Sequence, residues 1–338
     1  MKKPRSIIII GSILTLSVII VIITAINVTI SGVRSGKLGE SFNYDLREFY
    51  KTDPKLIKYK EVIKINADFK SASAIATDRN DRIYVAGDSS IKIFDERGAK
   101  LSEIKLTGLP NCIAIADDGD IYVGAKEHVE IYGKNGKLKS KWEGFDKSSL
   151  ITSIASYKDN IFIADAGKRV VVRYDKNGNI IGYIGKKDIE KDILGFVIPS
   201  PHFDMVITPE GLISVVNPGR HKIETYTIDG KIISAWGEPG MDIKLFSGCS
   251  NPVNLAILSD GRFVTCEKGI PRVKIYQNDG TFESVVVGAE IYSRTVGVYN
   301  PSKDTEDMTK ALDIAVDSKD RVLVLDPVES SVRIFARK

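Results

Sequence analysis

Residues 160–185 read NIFIADAGKRVVVRYDKNGNIIGYIG, and this stretch indicates the fold. Its apolar residues come in short continuous runs rich in Ile and Val, and not at the i, i+3, i+4 spacing of a helix. The turn Lys176-Asn177-Gly178 separates the second run from the third. Asparagine and glycine tolerate the positive φ that tight hairpin turns need. The stretch therefore predicts three antiparallel strands.

The same unit recurs six times along the chain. Its second strand is a short β-rich run at 83–86, 121–124, 161–164, 213–216, 263–266 and 322–325. A polar turn such as Asp118-Gly119 or Asp260-Gly261 precedes each run. The third strands end in aromatic residues, which are Phe94, Tyr132, Tyr174, Tyr226, Tyr276 and Phe335. Four short antiparallel strands repeated in this way are typical of β-propeller blades.

The two ends of the repeat array complement each other. The last repeat stops at Phe335-Ala336-Arg337-Lys338, after its third strand, whereas a spare strand at 62–65 precedes the first repeat. Pairing the two would complete blade six and remove the exposed sheet edge of an open array. We therefore predict an all-β fold, a six-bladed β-propeller over residues 56–338.

The N-terminus predicts a membrane anchor. Residues 7–30 are uncharged and dominated by Ile, Leu and Val, and they follow Lys2, Lys3 and Arg5. Such a span is long enough to cross a bilayer, and basic residues before it orient the C-terminal domain outside the cytoplasm. We predict a cytoplasmic stub and transmembrane signal-anchor helix over 1–30, a juxtamembrane linker over 31–55, and a single-pass cell-membrane protein. The alternative is a cleaved signal peptide, whose apolar region is usually shorter.

Composition excludes several classes of function. The formal net charge is only +4 and is spread along the chain, so we expect no nucleic-acid partner. Three cysteines are too few for a disulfide framework. The sequence contains no Ser-His-Asp order, P-loop, H-E-x-x-H or dinucleotide motif. We expect a monomeric propeller.

One phrase carries a family resemblance. A tight turn is followed by a fourth strand ending in glycine at 177–185, 229–237 and 279–288, and Asp165 ends a second strand. In these features the chain resembles the NHL-repeat family of β-propellers and, more distantly, the gluconolactonase and SMP-30 class. The resemblance implies a six-bladed fold but no single chemistry, because members serve as protein-binding, RNA-binding, carbohydrate-associated or lyase domains.

The predicted topology sorts the loops onto two faces. The tight turns lie on one, termed the turn face. The loops between second and third strands and the connections between blades lie on the other. Length variation falls on this second face, at 186–202, 238–251 and 288–310, and we term it the insertion face. Insertions confined to one face of a repeat array commonly mark its binding side. We therefore expect a protein or carbohydrate partner there.

Four polar residues occupy one equivalent position, nine residues before the third-strand aromatic. They are Asp165, Asn217, Glu267 and Asp326. Convergence of these side chains near the propeller axis would favour a hard cation such as Ca²⁺ as cofactor. The lactonase resemblance points to Asn217, Glu267 and Asp326 as the metal ligands. The alternative is that each side chain caps its own loop through backbone hydrogen bonds.

The insertion face also carries possible soft-metal ligands, which are Cys249, Cys266, His202 and His221. Cysteine and histidine together bind zinc, copper or iron, although no pair here has metal-site spacing. The sequence does not decide whether the two cysteines form a disulfide. Asn254 and Arg272, in the unusual segments 246–254 and 266–272, complete the ligand-face candidates, and Asn254 is predicted to pair with Cys266 across a hairpin.

Three functions follow from these features. The first is a binding module for a protein or carbohydrate. The second is a cation-dependent hydrolase or lactonase, and the third is a metal or redox accessory protein. No residue is assigned a catalytic role, so the sequence leaves open whether the protein is an enzyme.

Overall fold

The structure is a computed structural model that describes residues 49–143, 146–190, 193–292 and 311–338. The predicted anchor at 7–30 and most of the predicted linker lie outside these residues. Of the helices in the described ranges, none has both the length and the apolar character needed to cross a membrane. The chain divides into two compact units, and the described residues belong to the second, residues 47–338.

The described residues form twenty-four strands and two single-turn 3-10 helices. The strands are β1 (Tyr59–Asn66), β2 (Ala72–Thr77), β3 (Ile83–Gly87), β4 (Ser90–Phe94), β5 (Lys100–Lys105), β6 (Cys112–Ile115), β7 (Ile121–Ala125), β8 (His128–Tyr132), β9 (Leu138–Trp142), β10 (Ile151–Tyr157), β11 (Asn160–Asp165), β12 (Val170–Asp175), β13 (Ile180–Ile184), β14 (Met205–Ile207), β15 (Ile213–Asn217), β16 (Lys222–Tyr226), β17 (Ile232–Trp236), β18 (Asn254–Ile257), β19 (Phe263–Cys266), β20 (Val273–Tyr276), β21 (Phe282–Val287), β22 (Asp313–Val316), β23 (Val322–Asp326) and β24 (Ser331–Arg337). The 3-10 helices are Pro218–Arg220 and Ala289–Ile291.

These strands form six four-stranded antiparallel sheets within the described part of the chain, as the repeat predicts. Blades one to five are the consecutive meanders β2–β5, β6–β9, β10–β13, β14–β17 and β18–β21. The first strands of neighbouring blades contact one another, so they line the centre of the ring. Apart from Asn160 at the start of β11, the second strands are buried along their whole length, because both of their faces pack against other blades. The six-bladed β-propeller is confirmed.

Blade six joins the two ends of the propeller. Strand β1 is its outer strand and pairs antiparallel with β24 from Tyr59 opposite Arg337 to Asn66 opposite Ser331. The strand extends beyond the predicted 62–65 because Tyr59, at 2% exposure, is also buried. Just before it, Ile57 bridges to Val285 in β21 of blade five, so the first residues of the predicted propeller lie against that blade.

Aromatic side chains fill the space between blades. The Trp236 ring at the end of blade four lies 5.0 Å from the Tyr276 ring of blade five. The turn of blade five approaches the same indole through Gly280, where φ is +88°. A Cβ at this position would come within 2.6 Å of the Trp236 ring. The Asn278-Asp279-Gly280 turn therefore requires glycine both for its backbone conformation and for the close packing of two blades.

Candidate functional site

The six first strands enclose a central cavity of about 660 Å³, within the size range of small-molecule sites. One residue per blade occupies the same level of the cavity wall. Each lies opposite the fourth residue of the second-strand run that the sequence shows in its own blade, as at 161–164 and 263–266. These residues, termed the cavity ring, are Ala74, Cys112, Ser153, Asp204, Asn254 and Asp313. Toward the turn face the wall is mostly apolar and includes Ala155, Val206, Ile257 and Val316, with the hydroxyl residues Thr77 and Ser156 among them.

The two aspartates of the cavity ring each join two blades. One oxygen of Asp204 accepts the N–H of Leu255 in blade five at 2.7 Å, and the other accepts the next N–H of its own strand at 2.8 Å. Asp313 likewise accepts the N–H of Ile75 in blade one at 2.8 Å and the next N–H of its own strand at 2.9 Å. Each carboxylate oxygen retains further acceptor capacity for a ligand in the cavity.

Amide and hydroxyl groups make the other connections between first strands. The Nδ2 of Asn254 donates to the carbonyl oxygen of Leu312 at the entry to blade six, at 2.5 Å. The hydroxyl of Thr152 in blade three donates to the carbonyl oxygen of Phe203, which precedes blade four, at 2.7 Å. Polar side chains therefore stabilise the ring at the insertion-face end of the first strands while they line the cavity.

Both cavity aspartates are difficult to ionise. Burial raises the pKa of Asp204 to about 6 and that of Asp313 to about 7, and the charge of Asp204 adds to the shift at Asp313. The backbone N–H bonds act in the opposite direction but are outweighed. The described residues of the wall include no lysine or arginine that would stabilise the carboxylates. Near neutral pH the pair can therefore both donate and accept hydrogen bonds.

The strand-end residues singled out in the sequence have other surroundings. They are Asp165, Asn217, Glu267 and Asp326. They lie on second strands, one strand further from the axis than the cavity ring, and in the described structure none of them lines the central cavity. Asp165 accepts the backbone N–H groups of Leu150 and Lys168 at 2.9 and 3.0 Å. Asp326 accepts the N–H of Val328 at 2.9 Å. These are the hydrogen bonds expected of loop-capping side chains.

Asn217 and Glu267 hold the two long insertions of the described chain. The Oδ1 of Asn217 accepts the N–H of Val197 at 3.0 Å, within the first insertion. Glu267 is fully buried and accepts the N–H of Ser247, in the second insertion, at 2.7 Å. These contacts fix the loops of the insertion face to blades four and five.

A buried ion-pair cluster surrounds Glu267. Its Oε2 lies 2.8 Å from the Nε of Arg272 and 3.2 Å from the Nζ of Lys274, and the two cations are 2% and 0% exposed. Burial lowers the pKa of Lys274 to about 8. Arg272, expected to face a ligand, is therefore inside blade five and pairs with Glu267.

The possible soft-metal ligands are separated in the structure. His202 lines the central cavity, whereas the Nε2 of His221 lies 2.8 Å from the carbonyl oxygen of Gly248. Cys249 is exposed and Cys266 is buried, and both are free thiols. Cys266 does pair with Asn254 across the hairpin, as predicted. Among residues 49–143, 146–190, 193–292 and 311–338, no three His, Cys, Asp or Glu side chains are placed to hold one metal ion.

Sequence reasoning found Asn254 and His202 but missed Ser153, Asp204 and Asp313. The signal that could have found them is the first-strand position opposite the fourth residue of each second-strand run in the sequence. Reading that register in every blade gives a polar residue in blades three to six. The polar side of the cavity is thus visible only after all six hairpins have been aligned.

Comparison with known proteins identifies the fold but no family. No family model matches the chain, and no curated protein matches it. The NHL resemblance is therefore not confirmed by a family match. Solved structures do match, with sequence identities so low that the likeness shows the fold alone.

Three of these structures each cover 83% of this chain. A streptogramin B lyase has a TM-score of 0.56 and 11% identity, with 98% of that chain covered. Virginiamycin B lyase from Staphylococcus aureus has a TM-score of 0.57 and 12% identity, with 100% covered. A protein of unknown function from Bacteroides thetaiotaomicron has a TM-score of 0.57 and 14% identity, with 76% covered.

Proposed function

We propose that this protein is an NHL-like binding module, anchored in the cell membrane through residues 7–30 with its propeller outside the cytoplasm. Its ligand is a hydroxyl-rich small molecule of the carbohydrate class, bound in the central cavity. The observation that carries the proposal is the cavity ring, which places Asp204, Asn254 and Asp313 on the wall of a cavity of about 660 Å³.

The chemistry of the wall favours a neutral, hydroxyl-rich ligand. The carboxyl groups of Asp204 and Asp313, the amide of Asn254 and the hydroxyl of Ser153 supply both donors and acceptors. The apolar wall beyond them can contact the C–H groups of the same molecule. An anionic ligand is disfavoured, because the described lining has two carboxyl groups and no lysine or arginine.

A carbohydrate is favoured over a protein partner because of the shape of this site. Stable protein interfaces bury about 800 Å² on each partner, which requires a broad surface. The polar groups of the cavity ring instead converge on a concave, partly open space between six strands. Such a space fits a small molecule or the terminal units of a glycan.

Isothermal titration of the full chain in detergent with neutral mono-, di- and trisaccharides tests the proposal. We expect one of them to bind, and we expect the double variant Asp204→Asn/Asp313→Asn to lose at least about tenfold in affinity, or about 1.4 kcal/mol. Asp229→Asn is the matched control, because its side chain is 83% exposed in a turn-face loop. Absence of binding to the wild type, or unchanged affinity in the double variant, would refute the proposal.

A hydrolase that acts through the same two aspartates is the second candidate. The raised pKa values of Asp204 and Asp313, about 6 and about 7, favour it, because acid–base catalysis uses carboxyl groups that titrate near neutral pH. In this function Asp313, with the higher pKa, is the acid and Asp204 the base. Hydrolysis of a bound saccharide or lactone that is lost in Asp313→Asn, with binding retained, would identify the enzyme.

The cation-dependent variant of this enzyme, with Ca²⁺ on Asn217, Glu267 and Asp326, is tested separately. Its ligands are strand-end oxygens that already accept backbone N–H groups or ion-pair with cations. Thermal unfolding of the full chain, with added Ca²⁺ and with a chelator, measures whether Ca²⁺ binding stabilises the fold. A stabilisation by Ca²⁺ that Asp326→Ala removes would support this site, and no shift would exclude it. The same titration with Zn²⁺ tests the soft-metal set Cys249, Cys266, His202 and His221.

A further inference from the structure

A second cavity, of about 460 Å³, lies between blades two and three and shares no lining residue with the central cavity. We term it the inter-blade cleft. The end of β9 contributes Trp142, β12 contributes Tyr174 and β13 contributes Tyr183. The loops that follow β11 and β13 contribute basic side chains. The cleft therefore combines aromatic rings with several cations, and of the candidate residues named above only Asp165 lines it.

Ring packing holds Trp142 and Tyr174, two of the aromatic side chains of the cleft. The Trp142 ring packs edge-to-face on the Tyr122 ring at 5.9 Å and lies 5.6 Å from the Tyr174 ring. Tyr183 is 42% exposed, so part of its ring is open to a ligand. Rigid aromatic rings offer apolar contact area at low cost in side-chain entropy. They fit the C–H face of a sugar ring.

Three of the basic side chains that line the cleft lack an ion-pair partner in the described part of the chain. Lys168 pairs with Asp146 at 2.7 Å, and the Nζ of Lys186 lies 4.2 Å from the centre of the Tyr183 ring. In the described ranges no carboxylate forms an ion pair with Arg169, Lys186 or Lys187. The lining holds four cations and three carboxylates, which are Glu143, Asp146 and Asp165. Because the cations outnumber the carboxylates and three of them have no ion-pair partner among the described residues, the cleft favours a ligand with an acidic group.

We propose that the inter-blade cleft binds an acidic saccharide, a sugar that carries a carboxylate or phosphate group. The rings of Trp142 and Tyr183 contact the sugar, and Arg169, Lys186 and Lys187 pair with its acidic group. A partly open cavity of about 460 Å³ fits one or two sugar units, whereas peptides are usually bound in extended grooves or at strand edges. The charge preference is opposite to that of the central cavity, so the two sites take different ligands.

Isothermal titration of the full chain in detergent at low salt tests this with four probes. Trigalacturonate supplies carboxylates on a sugar, glucose 6-phosphate supplies a phosphate on a sugar, maltotriose is neutral, and tetraglutamate is an acidic peptide. We expect at least one acidic sugar to bind more tightly than tetraglutamate, and its affinity to fall as salt is raised. In the Asp204→Asn/Asp313→Asn variant, where neutral-sugar binding to the central cavity is weakened, the acidic sugar should also bind more tightly than maltotriose. Which acidic sugar binds identifies the anionic group. Binding of neither, or equal binding of tetraglutamate, would overturn the proposal.

Charge-removal variants locate the site. Lys186→Ala/Lys187→Ala should reduce the affinity for the acidic sugar about tenfold, because two exposed ion pairs are lost. Lys137→Ala/Lys231→Ala removes the same charge from exposed turn-face positions and should leave the affinity for the acidic sugar unchanged. Tyr183→Ala should also weaken binding, and an unchanged unfolding temperature separates this effect from misfolding. Equal losses in both lysine pairs, or none in the first, would refute the assignment.

The central-cavity variant separates this proposal from the proposed function. Asp204→Asn/Asp313→Asn should leave the affinity for the acidic sugar unchanged, since the two cavities share no lining residue. Loss of acidic-sugar binding in that variant would place the ligand in the central cavity and overturn the inference. Failure of neutral saccharides to bind there would leave the inter-blade result unaffected.

Discussion

Replacing Asp313 with asparagine should change how the stability of the propeller depends on pH. The pKa of Asp313 is about 7 in the folded protein, against an ordinary value of 3.8. An acid with a raised pKa binds more protons in the folded state than in the unfolded state. It therefore stabilises the fold below pH 4, and this contribution is lost as the pH rises through 7. Asparagine does not titrate, so the variant lacks this term.

The size of the effect follows from the pKa difference. At about 1.4 kcal/mol per pKa unit, a shift from 3.8 to about 7 corresponds to at most about 4 kcal/mol. Water in the cavity screens the charge, so we expect about 2 kcal/mol. The asparagine side chain would also keep only one acceptor oxygen for the two N–H groups, of Ile75 and Ile314, that Asp313 accepts. Leaving one of them unsatisfied costs about 1–3 kcal/mol.

Urea unfolding, followed by the fluorescence of Trp142 and Trp236, measures both the pH-dependent contribution of Asp313 and the cost of the lost hydrogen-bond acceptor. At pH 5 the variant Asp313→Asn should be less stable than the wild type by about 2 kcal/mol. At pH 8 the difference should shrink to less than about 1 kcal/mol, because the wild type then carries a buried charge. Asp229→Asn, in an exposed loop, should follow the wild type throughout. Parallel pH profiles of Asp313→Asn and the wild type would refute the reasoning.

Three further predictions concern ring closure, the buried ion pairs and the cysteines. Ile65 in β1 is 4% exposed, so Ile65→Ala should lower the free energy of unfolding by about 2–4 kcal/mol. Val62, on the same strand, is 42% exposed, so Val62→Ala should lower it by less than about 0.5 kcal/mol. Thermal unfolding compares the two variants. Glu267→Gln should lower the free energy of unfolding by about 3 kcal/mol, because it leaves two buried cations unpaired. Glu61→Gln, which removes a partly exposed ion pair, should lower it by about 1 kcal/mol or less. Equal losses of the two variants in urea unfolding would contradict this prediction. A maleimide should label the native protein at Cys249 only, since the other two thiols are buried, and mass spectrometry after digestion would detect any second site.

The fold could be predicted from the sequence because its signals are local. A turn such as Asp260-Gly261 fixes the register of the hairpin around it, and thereby places Cys266 opposite Asn254. The six second strands are also mostly apolar, since each packs against other blades on both faces. Even the closing strand was visible, because the last repeat lacked a fourth strand and the first was preceded by an extra one.

The site was harder to predict because its residues meet only in three dimensions. Asp204 directly precedes the short strand β14 and Asp313 begins β22, and long connections of different length precede both residues. No local pattern marks these positions, whereas Asp165 and Asp326 end conspicuous apolar runs. Those conspicuous residues lie one strand away from the axis, where they bond to loop backbone. Their regular spacing reflects the repeated loop geometry of the blades.

A crystal structure of the full chain with the saccharide that binds most tightly in the neutral panel would test the central claim most directly. The proposed function predicts ligand density in the central cavity, with sugar hydroxyls within hydrogen-bonding distance of Asp204, Asn254 and Asp313. Density for that neutral saccharide at any other site, with the central cavity holding only water, would contradict it.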